Sequence, residues 1–190
     1  MSRIILARHG RPAWDFRTPI PGHGFTAWLQ GEGDAPLDPS SSPGALLEQL
    51  VGDAKCLIAS PLRRSQDSAR LVSAAVPAVD ADVREAALPS AFRSGLRLPP
   101  HLWGALARTA WFCGWSAGVE SYRSARQRAA RAARMLCASA DRGGDGDVVV
   151  IGHGLMNALI AAQLRSLGWA GPWFPSRAHW AFGSYSRRAT

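Results

Sequence analysis

Hydrophobic residues along the chain fall into short, unbroken runs separated by longer stretches in which they recur every three or four positions. Three runs, Arg3 to Ala7, Lys55 to Ala59 and Asp147 to Ile151, are too short for helices and apolar on both faces, which predicts buried strands. Each leads toward a helical pattern. After Ala59, Ser60-Pro61 reads as a cap and first-turn pair ahead of a helix over Leu62 to Ala75, with Ala69, Leu71, Val72 and Ala75 available to a core. The third run passes through Gly152 and Gly154 into a helix over Leu155 to Leu167, where Leu155, Leu159, Ala162 and Leu164 can face inward. Strands alternating with helices predict an α/β fold with a mostly parallel sheet. A further strand over Trp180 to Tyr185 is weakened by Gly183.

Two segments break the alternation. Arg17 to Ser42 is rich in Gly and Pro and reads as a long loop with at most a short helix around Phe25 to Leu29. Leu88 to Gly118 begins with Pro89, contains Pro99-Pro100 and carries Trp103, Trp111, Phe112 and Trp115 on an expected helix. It is an insertion that could cover a site, or one whose aromatics only pack the core. No repeat or linker divides the chain, so one domain over residues 1–190 is expected, as suits a chain of this length.

Composition narrows the class. An apolar fraction of 47% with eight tryptophans excludes a disordered chain. Cys56, Cys113 and Cys137 are odd in number and widely spaced, which indicates neither a disulfide framework nor a metal cluster and fits a reducing, cytoplasmic setting. No apolar run reaches the roughly 18 to 20 residues that span a bilayer, and Ile4 to Ala7 is too short for a signal peptide, so a soluble, unexported protein is expected. Lys plus Arg number 22 against 14 Asp plus Glu, a formal charge of +8, which invites a polyanion as partner. The densest basic stretch, Glu120 to Arg142, reads instead as one helix. Its arginines, Arg128 among them, share a solvated side, while Tyr122, Ala125, Ala129, Ala133, Leu136 and Ala140 gather on the other. Neither a specific nucleic-acid site nor a membrane partner is indicated.

Ligands of open α/β sheets collect beyond the carboxyl ends of the strands. There the chain offers Arg8-His9-Gly10, Ser60-Pro61-Leu62-Arg63 and Gly152-His153-Gly154. Two histidines and two arginines at one edge, beside helix N termini with free N–H groups, suit a phosphate dianion. No carboxylate or cysteine cluster accompanies them to hold a metal, so no metal and no cofactor is expected, with arginines supplying the charge.

In this order and placement, the three elements resemble those of the histidine phosphatase superfamily, also called phosphoglycerate-mutase-like, from Ile4 to about Leu167. The resemblance implies a three-layer α/β/α sandwich with a helical insertion over the site. It also implies a metal-independent phosphomonoesterase in which His9 attacks phosphorus and forms a phosphohistidine. Arg8 and Arg63 would hold the transferring group, and His153 would complete the clamp as imidazolium beside the dianion. Glu85, in Asp82-Val83-Arg84-Glu85-Ala86, would be the proton donor, with Asp82 or Glu120 as substitutes; for Glu120 a supporting role fits better. Pro12 and Asp15 stand near positions where mutase members carry a hydroxyl residue and Asn, and the chain is short for such mutases, so hydrolysis is favoured over mutase chemistry. Residues 88–118 would then shape substrate choice, with Arg93, Arg97, His101 and Arg108 as polar candidates. The substrate is a phosphorylated small molecule or a phosphoprotein, phosphohistidine included. A noncatalytic phospholigand-binding module remains the alternative, and the sequence leaves the oligomeric state open.

Overall fold

A computed structural model describes residues 2–142 and 146–187. The expected domain over 1–190 therefore includes positions 1, 143–145 and 188–190, which lie outside the described residues. In chain order the elements are β1 (Ile4–Arg8), β2 (Ile20–Pro21), α1 (Phe25–Asp34), α2 (Ala45–Gly52), β3 (Ala54–Ala59), α3 (Arg63–Val72), β4 (Ala78–Val79), β5 (Arg97–Leu98), α4 (Pro100–Phe112), α5 (Tyr122–Asp141), β6 (Asp147–Gly152), α6 (Gly154–Ser166), β7 (Trp169–Ala170) and β8 (Phe182–Arg187).

The fold is α/β, built on a six-stranded sheet ordered β4-β3-β6-β1-β8-β7. β1 and β3 flank β6 in parallel, with Leu6 opposite Val150 and Ile58 opposite Val150, while β8 joins the other side of β1 antiparallel. Side chains alternate faces along a strand, so each strand feeds two cores. Ile4, Leu6, Val148 and Val150 meet Leu136, the buried alanines of α5, and Ile160 and Leu164 of α6. Ile5, Ala7, Val149 and Ile151 meet Leu47, Leu50 and Val51 of α2 and Ala69 of α3. Helices thus cover both faces, giving the three layers. Alanine at 125, 129, 132 and 133 brings α5 close to its neighbours, and α5 and α6 pack along their lengths.

Several boundaries differ from the sequence expectation for local reasons. α1 runs through Gly31 and Gly33 to Asp34, although glycine disfavours a helix interior. A Cβ on Gly31 would lie 2.4 Å from the Trp14 ring, so tertiary packing decides that residue. α2, unassigned from sequence, is two turns long and starts at Ala45 after Gly44, which offers no capping side chain. α3 begins at Arg63 with Leu62 as its cap residue and no side-chain cap; Ser60 is used elsewhere. The last strand starts at Phe182 because Trp180 adopts a left-handed φ of 64° in the turn ahead of it.

The insertion divides its aromatics between both expected roles. Trp111 is fully buried in the α5 core and donates its indole N–H to the Glu120 carbonyl at 2.7 Å. Trp103 packs with Phe25 and Ala107 in a small cluster of its own, whereas Phe112 is 49% exposed. Among the described residues, no helix is long and apolar enough to cross a membrane.

The expected solvated face of α5 needs one correction. Arg128 is buried: it meets Glu120 through Nε (2.8 Å) and Nη2 (2.5 Å), and its Nη1 donates to the carbonyls of Asp82 and Arg84. Sequence spacing puts it among exposed arginines; the chain segment 82–84 folding over it takes it out of water. Arg128 ties α5 to the segment that carries Glu85. Breaking a buried ion pair strands its partner, so Arg128→Met is expected to lower unfolding free energy by about 3 kcal/mol in urea titrations. Arg134→Met, on the exposed side, should change it by less than about 0.5 kcal/mol.

Candidate functional site

The carboxyl ends of β1, β3 and β6 converge, and α3 holds them in register. Its buried Ser65 and Ser68 bond outside their own helix: Ser65 Oγ donates to the Ile151 carbonyl at 2.5 Å and accepts from Ser60 N–H at 2.9 Å, and Ser68 Oγ accepts from Gly10 N–H at 2.9 Å. From α6, Asn157 Nδ2 donates to the Ala7 carbonyl at 3.0 Å. Gly10 leaves room for Trp180, because a Cβ there would lie 2.4 Å from the indole ring.

His9 is 3% exposed. Its Nδ1 lies 2.7 Å from the Gly10 carbonyl, and its Nε2 lies 3.2 Å from Arg64 Nε. A carbonyl can only accept and a guanidinium can only donate. The ring is therefore neutral, with its proton on Nδ1 and its lone pair on Nε2. Burial pushes the His9 imidazole well below the usual histidine range, and the Arg64 cation pushes it further. His153 is fully buried with its ring 5.0 Å from that of His9; its Nε2 meets Ser60 Oγ at 2.6 Å. Burial, then His9, keep it neutral as well. The His179 ring is tilted against that of His9 with centroids 5.4 Å apart, contacts the His9 carbonyl through Nδ1 at 3.1 Å, and is lowered to about 4 by burial and then by Arg8.

Of these three, His9 borders a cavity of about 830 Å3, which is also lined by Arg8, Arg64, Glu32, Glu85, Arg108 and Arg177. Burial lowers the Arg8 guanidinium from its ordinary value, opposed by Glu85, though an arginine remains a cation. The Glu85 carboxylate sits over the N terminus of α6, accepting from Leu155 N–H at 3.3 Å and Met156 N–H at 3.1 Å. Glu32 pairs with Arg64 at 3.4 Å, and burial raises its carboxyl above the usual range. Arg8 Nε and His153 Nδ1 are buried without a hydrogen-bond partner. An unpartnered guanidinium N–H and an unpartnered ring nitrogen beside the neutral His9 imidazole leave room for an anion's oxygens. Among the described residues, no group of three or more His, Cys, Asp or Glu side chains is arranged to hold a metal ion.

Of the residues expected from sequence, Arg8, His9, His153 and Glu85 come together and Arg63 does not. Arg63 is the exposed first residue of α3, bonded to the Asp34 carbonyl at 2.9 Å and to Asp67 at 3.3 Å. Its neighbour Arg64 takes the place beside His9. Helical phase explains the exchange, since the inward face that holds Ala69 and Ser68 also carries Ser65 and Arg64, one turn earlier. Extending the apolar face backwards from Ala69 and Val72 would have found Arg64. Ser60, expected as a helix cap, instead orients His153. Asp82 pairs with exposed Arg131 at 2.8 Å and Glu120 with Arg128, so neither joins the cluster. Glu32 and Arg177 come from irregular or glycine-rich sequence that carries no signal. In the insertion, His101 and Arg108 line the cavity; Arg97 turns to the Pro19 carbonyl, and Arg93 is exposed away from it.

The family model of the histidine phosphatase superfamily (branch 1) matches residues 4–181. Comparison with curated proteins gives no match. Among solved structures, the mycobacterial glucosyl-3-phosphoglycerate phosphatase complexed with VO3 is 24% identical with a TM-score of 0.61, the match covering 88% of this chain and 83% of that one. Mycobacterial hydrolase 1 is 20% identical with a TM-score of 0.59, covering 98% and 97%. A phosphoserine phosphatase from Entamoeba histolytica, in complex with phosphoserine, is 18% identical with a TM-score of 0.55, covering 87% and 81%. At these identities the likeness is one of fold.

The neutral histidines make stability depend on pH with a definite sign. Unfolded histidine titrates near 6.5, whereas His9 and His153 stay unprotonated well below that. Below about pH 6.5 the unfolded chain binds protons that the folded one refuses, so stability is full above this pH and falls as pH drops. Each histidine contributes a slope approaching about 1.4 kcal/mol per pH unit. Urea midpoints without phosphate should fall steadily from pH 7 to pH 5 in wild type and less steeply in His153→Gln; equal slopes would refute the assignment.

Proposed function

Because the chain belongs to the histidine phosphatase superfamily, we propose that it hydrolyses a phosphorylated small molecule through His9. The observation that carries this reading is the His9 tautomer: the lone pair on Nε2 faces the cation-lined cavity while Nδ1–H is held by the Gly10 carbonyl.

In the first step Nε2 attacks phosphorus as the bond from phosphorus to the ester oxygen breaks. Arg64 moves its Nε–H from His9 to a phosphoryl oxygen, and Arg8 donates to another through the nitrogen that lacks a partner. His153 offers Nδ1, its proton favoured once a dianion lies beside it, while Ser60 holds the opposite nitrogen. Glu85, protonated at that stage, gives its proton to the departing alkoxide. In the second step the Glu85 carboxylate takes a proton from water, the hydroxyl oxygen attacks phosphohistidine, and phosphate leaves with His9 neutral again. Arginines and histidines carry the charge stabilisation in both steps, which makes the reaction metal-independent. The volume and largely apolar lining of the cavity favour a small phosphomonoester over a phosphoprotein.

His9→Ala should abolish hydrolysis of an aryl phosphate without altering the circular dichroism of the fold, while wild type should form an acid-labile, base-stable phosphoenzyme. Undiminished turnover by purified His9→Ala would refute the reading. EDTA should leave the wild-type rate unchanged. Arg64→Ala should lower kcat/KM by roughly 100-fold or more, the scale for losing one positioned donor, and Arg63→Ala by less than twofold. An inverted order would restore Arg63 to the site.

A further inference from the structure

A phosphoryl group fills only the inner end of the 830 Å3 cavity, whose size suits a drug-sized ligand. The remainder lies between α1 and α4 and is lined by Phe16, Trp28, Leu29, Leu88 and Phe112. Phe16 meets Trp28 edge to face, with ring centroids 5.3 Å apart. From the other side α4 presents His101, Gly104, Arg108 and Phe112, spaced three and four residues apart on one helical face.

Two features of that face are unexplained by folding. Gly104 stands in a helix interior, where glycine is less stable than alanine. It has no left-handed φ, and a Cβ there would meet nothing within 4 Å. Neither backbone nor packing calls for glycine; what it preserves is open volume. Arg108 donates from Nη2 to the Ala86 carbonyl at 3.1 Å, and its guanidinium lies 4.8 Å from the centre of the Trp111 ring, yet its Nη1 is buried without a partner. No carboxylate neutralises it within ion-pair distance among the described residues.

We propose that this outer cavity is the alcohol-side subsite, shaped for a phosphomonoester of a ring-bearing alcohol, with Phe16, Trp28 and Phe112 holding the ring and Arg108 taking a carboxylate or other oxygen acceptor on it. Gly104 sets the width of the slot. This substrate class rests on the phosphatase reading above and adds the leaving-group half to it. Aromatic walls favour a flat ring over a hydrated chain, and a buried donor with no partner discriminates for a ligand that supplies one.

Propyl phosphate, 3-phenylpropyl phosphate and its ring-carboxylated analogue have leaving groups of similar basicity and test the subsite directly. Wild type should raise kcat/KM at least tenfold on adding the ring and again by about tenfold on adding the carboxylate, each step being about 1.4 kcal/mol. Gly104→Leu should erase both increments, so that the three phosphates turn over with equal kcat/KM; Gly104→Ala, a better helix former, should erase part of them while raising the melting temperature. Arg108→Met should erase the carboxylate increment alone. Calorimetric Kd values for the same three phosphates on His9→Ala protein should show the same order without turnover. Equal values for all three, or increments that survive Gly104→Leu, would overturn the subsite. Loss of turnover on all three in wild type with the ring-dependent Kd order intact would overturn the phosphatase reading and leave the subsite standing.

Discussion

The Gly10 carbonyl holding His9 Nδ1–H at 2.7 Å is the contact on which the site depends. It selects the one tautomer whose Nε2 lone pair can face the cavity, and it can do so only because β1 ends where it does. β6 lies alongside β1, so the Gly152 carbonyl accepts from His9 N–H at 3.1 Å, and Ser68 of α3 holds Gly10 N–H. Trp180 then closes over Gly10, in a left-handed turn that its indole N–H steadies on Ser41 Oγ at 2.9 Å. The two cores that straddle the sheet are what keep these backbone groups aligned.

Burial gives that arrangement its chemistry. An imidazole in water near neutral pH is partly protonated, whereas here desolvation and the Arg64 cation hold it neutral. The same burial leaves polar nitrogens on Arg8, His153 and Arg108 without partners, each at a cost of about 1 to 3 kcal/mol to the folded chain. Such unsatisfied groups are expected where a ligand's oxygens complete the set. Glu32 is the counterweight, a partly buried carboxylate that offsets the charge of Arg64.

The net charge of +8 bears little on this. Most arginines of α5 face solvent, and the one that does not, Arg128, braces the segment bearing Glu85. Five arginines, from β1, α3, α4 and two irregular segments, line the cavity with only two carboxylates. Position concentrates the field on one small volume, where total charge suggested a long polyanion.

From the sequence alone the strands carrying His9 and His153, the parallel sheet and the two-sided burial of β1 and β6 were legible, because unbroken apolar runs at strand length admit few other folds. So was the convergence of Arg8, His9 and His153, since parallel strands deliver their carboxyl ends to one edge. Tertiary structure decided what depends on side-chain direction or on distant partners. Arg64 replaces Arg63 by one step of helical phase, and a single residue turns a side chain by about 100° around a helix axis. Ser60 turned from cap to His153 partner, Gly31 was allowed inside α1 by Trp14, and Glu32 was placed against Arg64 through contacts more than thirty residues apart in sequence. Local pattern encodes which residues lie inward; which of them touch is settled only when the layers close.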